Sequence, residues 1–416
     1  TFELPRRAVL LIILDGFGYG VVRAMYDAGH LRIFHPPSKV VAPYPTLTDM
    51  CVEDLLGYIP APALETVYYS YDEGHIVGGN LDYLDGFNQP YNHLLDYRAN
   101  LIWDAIGYVE PWEVLGKELN DAKRIFDRRD RREVLAYFVS SAGMSTRYGM
   151  EGQRRALRRV ERLIHQVLYE THGLVQITLM SDHGHGYTRA ERLPVEKYLK
   201  EKGWRVRDRL EGPRDVAFPQ YGLTTYANFA TRSPEALSRD LAALEGVEVT
   251  SFVRGDDAIV LGPDGARAHI RRRGDRYAYE AIEGDPLDYL PVLEGLQGKA
   301  KTIEGARFYP RDAIFAATVD HRWPDALERL WRAHFTLVEH PPDVIVSLAD
   351  RYYCGAGAFS GLFPIVSTHG GLNNRNSVTF VMTTAGPLPE ALRARDVPDA
   401  MSELLRRPWP IKDRGR

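Results

Sequence analysis

Four short stretches of the chain carry residue types that can do chemistry. Asp182-His183-Gly184 sets a carboxylate beside an imidazole, and the glycine lets the backbone turn sharply after them. One oxygen and one nitrogen donor suit zinc or another first-row divalent ion. His185 is a further candidate donor. His369-Gly370-Gly371 supplies another imidazole, followed by two glycines that admit close approach of the backbone to an ion or substrate. Asp15 offers a second carboxylate. Tyr44-Pro45-Thr46-Leu47-Thr48-Asp49 holds two threonine hydroxyls, poor nucleophiles until a base or a metal activates them. Each stretch alone also has a structural reading: a capping Asp, a solvated turn, a lone core histidine, a helix cap. The threonine stretch gains weight only beside a metal site.

The elements that must position these residues follow from short apolar runs that stop at polar groups. Ala8–Leu14 (AVLLIIL) stops at Asp15-Gly16, Leu174–Met180 (LVQITLM) at Ser181-Asp182-His183, and Phe363–Val366 (FPIV) at Ser367-Thr368-His369. Asp343–Leu348 (DVIVSL) and Ser377–Met382 (SVTFVM) have the same character. Continuous runs without alternation predict strands buried on both faces, hence a mostly parallel sheet covered by helices. The helices come between them. Glu151–Glu170 keeps Leu157, Val160, Leu163, Ile164, Val167 and Leu168 at helical spacing, and Gly173 follows as a stop. Pro389–Leu405 reads as helical with a break around Val397-Pro398. Ligands of open α/β sheets bind beyond the carboxyl ends of the strands, where these carboxylates and histidines fall. Gly16-Phe17-Gly18-Tyr19-Gly20 lacks the G-x-G-x-x-G spacing of a dinucleotide fingerprint.

The chain has 416 residues, 52 Lys plus Arg against 56 Asp plus Glu, and a formal charge of −4. That balance excludes a nucleic-acid coat, which needs a large basic excess. Two cysteines, Cys51 and Cys354, make neither a disulfide framework nor a cysteine-rich zinc site, and a cytoplasmic location is expected. No apolar run approaches the length of a membrane span. Residues from about 190 to 340 change character: shorter, more charged strand-like pieces (Val247–Val253, Ala258–Leu261, Tyr277–Ile282) separated by Gly-Asp and Pro-Asp-Gly turn signals. They predict an inserted α+β cap subdomain over 191–339, between core segments 1–190 and 340–416.

LIILDGFG, PTLTD, MSDHG and THGG, in that order, resemble the alkaline phosphatase superfamily, in particular its type I phosphodiesterase and nucleotide pyrophosphatase branch. The resemblance covers the core and leaves the insert without a placed motif. It implies a pair of divalent ions, usually zinc, with Mn2+ or Mg2+ as alternatives. Asp15, Asp182 and His183 match ligands of one ion together with the nucleophile, Thr48, for which Thr46 is the fallback. His369 matches a ligand of the other ion.

The chain departs from that pattern in two places. Cys51 stands where an Asn commonly helps hold the phosphate. The segment expected to supply an Asp and a His to the second ion, Tyr137–Gly149 (YFVSSAGMSTRYG), contains neither. Ser140, Ser141 or Ala142 takes the Asp position and Met144 or Thr146 the His position, according to register; a thioether or a hydroxyl is a weak ligand for such an ion. His165 and His172 lie farther along, on a helix expected to point them elsewhere. The expectation is a metal-dependent hydrolase of phosphoric esters, of phosphodiester or nucleotide pyrophosphate type, acting on a small molecule with an incomplete second metal site. A catalytically silent relative that binds a phosphorylated ligand or partner is the first alternative. A phosphotransferase or phosphomutase, which replaces water by an acceptor alcohol, is the second.

Three further features read more blandly. The aromatic-rich stretch from Tyr58 to Trp112 has the composition to stack on a base or line a lipid slot, but such density is more often packing. Arg271-Arg272-Arg273 reads as a solvated sheet edge, and Lys123–Arg132 as a solvated helix face.

Overall fold

A computed structural model of the chain describes residues 8–128, 133–355 and 364–410; Arg129–Arg132 of the basic stretch and Phe363 of the FPIV run lie outside them. Three of the predicted apolar runs supply β1, β4 and β5 of a six-stranded sheet: β1 (Ala8–Leu14), β2 (Ser38–Val41), β3 (Glu133–Phe138), β4 (Val175–Ser181), β5 (Val378–Thr383) and β6 (Ala391–Arg393), in the order β6-β2-β5-β4-β1-β3. β1 pairs in parallel with β3 and β4, and β2 with β6, while β5 is antiparallel to both its neighbours. The mostly parallel core sheet therefore stands, with one reversed strand. Because β5 is reversed, its first residue, not its last, lies at the end of the sheet where Asp15 and Asp182 emerge. β1 is apolar and buried along both faces, as a central parallel strand requires.

α1 (Thr48–Leu56) is stopped by Gly57 in the left-handed conformation, φ 61°. α2 runs from Ser140 to Glu170, broken at Gly149 (φ 55°, ψ −143°), and its second half buries Leu157, Val160, Leu163, Ile164 and Val167 as the spacing predicts. Its first half, which the sequence did not present as helix, starts directly from the end of β3. The predicted C-terminal helix is shorter than expected: β6 takes Ala391–Arg393, and the helix is Val397–Leu405 with Pro398 in its first turn.

The region between the core segments builds a ten-stranded sheet. Val247–Arg254, Asp257–Leu261 and Arg276–Glu283 are strands as predicted. Val344–Leu348, expected in the core, instead lies between Tyr226–Thr231 and Val247–Arg254, antiparallel to both. Its unbroken apolar character reflects burial on both faces of the second sheet. α3 (Ala326–Phe335) packs on that sheet and reaches the core. Pro364–Val366 is not a strand, so His369 arrives on a loop rather than at a strand end. Among the described residues no helix is long and apolar enough to cross a membrane.

Candidate metal centre

Asp15 emerges from β1 and Asp182-His183 from β4, its immediate neighbour in the sheet. Their pairing in register (Leu14 opposite Ser181) brings the two carboxylates to one place. Asp182 Oδ1 accepts from the Gly16 and His183 amides at 2.9 and 2.8 Å. Its Oδ2 has no hydrogen-bond donor, is buried, and lies 3.5 Å from His183 Nε2. Asp15 Oδ1 lies 3.6 Å from the same nitrogen. The His183 Nδ1 faces the Gly184 carbonyl at 2.9 Å; a carbonyl only accepts, so Nδ1 carries the proton and Nε2 the lone pair.

Asp15, Asp182 and His183 thus bring ligand atoms within 4.8 Å of one another. Burial holds the His183 imidazole down at about 4, so it is neutral, and pushes the Asp182 carboxyl up. Two ligands at ~2.0–2.1 Å on a tetrahedral ion are about 3.4 Å apart. The spacings of 3.5 and 3.6 Å and the N/O donor set fit one divalent ion.

The local backbone is built for this approach. Gly16 has φ +70°, and a Cβ on it would stand 2.8 Å from His185 Cδ2 and 3.4 Å from His183 Cε1. A Cβ on Gly184 would stand 2.0 Å from the Arg375 carbonyl oxygen.

His369 joins the cluster from its loop. Its ring stacks on His183 with centroids 4.0 Å apart and planes 15° apart, its Nδ1 donates to the Thr46 carbonyl at 2.9 Å, and burial holds it down at about 3. It lies outside the three-residue set. Thr46 ties the two loops together: its Oγ1 accepts from the Gly370 amide at 2.9 Å and donates to the Gly371 carbonyl at 3.3 Å. Its hydroxyl is buried and held between Gly370 and Gly371. Thr48 is half-buried at the first position of α1. Cys51, one turn on, is buried, and after burial the Asp182 carboxylate does most to push its thiol up, with Asp54 and Asp15 adding to it.

No family model and no curated protein matches the chain. Among solved structures, murine ectonucleotide pyrophosphatase/phosphodiesterase 5 is similar over 96% of this chain and 95% of that one, with a TM-score of 0.51 and 10% identity. The human protein of the same name covers the same shares at 0.49 and 10%. The fold is that of a nucleotide pyrophosphatase/phosphodiesterase. The likeness runs through the insert, which the sequence motifs had left unplaced.

On this pyrophosphatase/phosphodiesterase fold, hydroxyl and amide groups occupy the segment after β3. Ser140 turns away to Glu118, which also accepts from the Val139 amide at 2.9 Å. Ser141 Oγ donates to the Asp15 and Phe138 carbonyls. Ser145 Oγ and Gln153 Nε2 both donate to the Gly16 carbonyl, at 3.2 and 2.6 Å. Ala142 and Met144 are buried, Met144 in the core. Tyr137 donates to Asp15 Oδ2 at 2.5 Å, and Tyr187 accepts from the Gly18 amide and donates to Gln153 Oε1. These residues grip the Asp15–Gly18 loop. The residues here do not fit a second ion with an Asp and a His. His165 and His172 are exposed and do not compensate. His185 is buried beside the cluster, its ring 5.2 Å from that of His369, its Nδ1 on Ser367 Oγ at 2.8 Å and its Nε2 without a partner. Tyr137, Gln153 and Tyr187 were not singled out from the sequence, because nothing local to them marks a contact across more than 30 residues.

Proposed function

We propose that the protein is a metal-dependent hydrolase of phosphoric esters, of phosphodiester or nucleotide pyrophosphate type, with Thr48 as nucleophile. One divalent ion, zinc by its donors, is held by Asp15, Asp182 and His183 with Thr48 beside it. The observation that carries this reading is the convergence of Asp182 Oδ2, His183 Nε2 and Asp15 Oδ1 at the spacing of ligands on one ion. When bound, the ion supplies positive charge that lowers the pKa of a hydroxyl and stabilises charge on phosphate oxygens.

The chain's own residues do the rest. Thr48 sits at an α-helix N-terminus with no side-chain cap, so first-turn amides are available to phosphate oxygens. Its Oγ, the hydroxyl proton given up to solvent, attacks phosphorus; the Oγ–P bond forms as the bond from phosphorus to the oxygen of the alcohol or phosphate opposite breaks, and that group leaves with the electron pair. Water then cleaves the phosphothreonine. His369 and His185 flank the metal cluster, their rings 4.0 and 6.2 Å from that of His183, and burial keeps both neutral. Cys51 offers the phosphate a weaker donor than an amide.

Purified protein analysed for metal should carry one ion per chain, and it should hydrolyse an activated phosphodiester such as bis(4-nitrophenyl) phosphate. Thr48→Ala should abolish turnover while the ion stays bound; retained turnover would exclude Thr48. A second reading, a silent relative that binds a phosphorylated ligand, is favoured by the side chains that fill the segment after β3. Steady turnover of natural dinucleotides removes it.

A further inference from the structure

We infer that the outer face of α2 docks on an anionic phospholipid surface. Arg155, Arg158, Arg159 and Arg162 are all exposed and follow one another at helical spacings of three and four, which places them on one stripe. At ~1.5 Å per residue the row is about 10 Å long. Among the described residues none of the four has a carboxylate at ion-pair distance; the acidic contact on this stretch, Glu151, goes to Arg154 at 3.8 Å. Other exposed arginines pair with carboxylates, Arg207 with Glu211, Arg254 with Glu235 and Arg273 with Glu304, and those that do not, such as Arg209 and Arg307, stand singly along the chain. Although the net charge of the chain is −4, these four arginines form a cationic row with no carboxylate at ion-pair distance among the described residues.

The row is continuous with an aromatic and apolar edge. The Arg155 and Arg159 guanidiniums lie 4.5 and 5.0 Å from the centre of the Trp112 ring, Trp112 lies 6.0 Å from Tyr148, and Tyr148 and Met150 are exposed beside it. Stacking on Trp112 steadies two guanidiniums, whose N–H edges suit phosphate oxygens. This arrangement fits a bilayer better than a nucleic acid. Guanidiniums already cover Trp112, the helix presents a convex face rather than a groove, and Tyr148 and Met150 have the amphipathic and apolar character of interfacial anchors. Arginines near an anionic leaflet act additively, about fivefold in partitioning each at low salt.

The full chain should sediment with vesicles of phosphatidylcholine doped with phosphatidylglycerol, and not with phosphatidylcholine alone. Added salt should weaken the binding. Converting all four arginines to Gln should cost at least about a hundredfold in partitioning with an unchanged thermal midpoint, whereas Arg272→Gln with Arg273→Gln should leave binding intact. Absence of binding to the doped vesicles, or binding that survives the four substitutions, overturns the inference. Retention on single-stranded RNA without vesicle binding assigns the row to nucleic acid instead. Metal content and phosphoesterase activity do not enter the measurement, so it stands or falls separately from the proposed chemistry.

Discussion

A histidine whose Nδ1–H is committed to a carbonyl can offer only a lone pair at Nε2, and at His183 that lone pair meets two carboxylates. Acceptors facing one another in a buried site are held apart only at a cost, which a cation reverses. The metal-free protein should therefore be measurably less stable: adding zinc to chelator-treated protein should raise the thermal midpoint, the stabilisation being about 2.7 kcal/mol at a hundredfold excess over Kd. Asp182→Asn should remove most of that gain. The pH dependence of the metal-free form has a definite sign. Burial lowers His183 to about 4 and His369 to about 3 from an ordinary 6.5. The unfolded chain then binds protons that the folded chain does not, so this stability is complete above about pH 6.5 and lost as pH falls towards 4. Thermal melts across that range should show the loss, and His183→Gln should flatten it. Tyr137 acts one step out. Its phenol engages Asp15 Oδ2 and leaves Oδ1 for the ion. Tyr137→Phe should weaken ion affinity by about 10–100-fold, read by competition with a chromophoric chelator.

At the scale of elements, the centre depends on loops that must stay together. α3 contributes Arg329, which is buried and donates to the carbonyls of Pro43, Leu372 and Pro324 and to Ser377 Oγ. Pro43 leads into the Thr46–Thr48 loop, and Leu372 follows the His369–Gly371 loop, so one guanidinium fastens both. Arg329→Met leaves several buried acceptors unsatisfied, each worth about 1–3 kcal/mol. The expected outcome is faster amide exchange at Thr46, Thr48, Gly370 and Gly371 with β1 and β4 still protected. Uniform exchange across the whole sheet would mean global destabilisation instead.

At the scale of the whole molecule, the second sheet is fastened to the core by charge as well as packing. Arg393 of β6 bonds to Asp325 at 2.6 Å, and Arg332 of α3 makes a two-pronged pair with Asp54 of α1. Both pairs are largely buried, where breaking one partner is strongly destabilising. The protein should unfold on heating in a single calorimetric transition; two resolved transitions would show that the sheets are independent.

The order of LIILDGFG, PTLTD, MSDHG and THGG, and the apolar runs that precede Asp15 and Asp182, made the fold and the three-residue cluster legible in the sequence. Both signals are local: strand burial writes itself as an unbroken apolar run, and a donor at a strand end follows directly. The position of Val344–Leu348 was not legible, because a strand buried on both faces reads alike in either sheet. Neither were the hydrogen bonds that hold the Thr46 hydroxyl between Gly370 and Gly371, more than 300 residues away. The same holds for Tyr137, Ser141, Ser145 and Gln153. Their identities are ordinary, and only the pairing of β3 with β1 and the packing of α2 against the Asp15–Gly16 turn give their hydroxyl and amide groups a target.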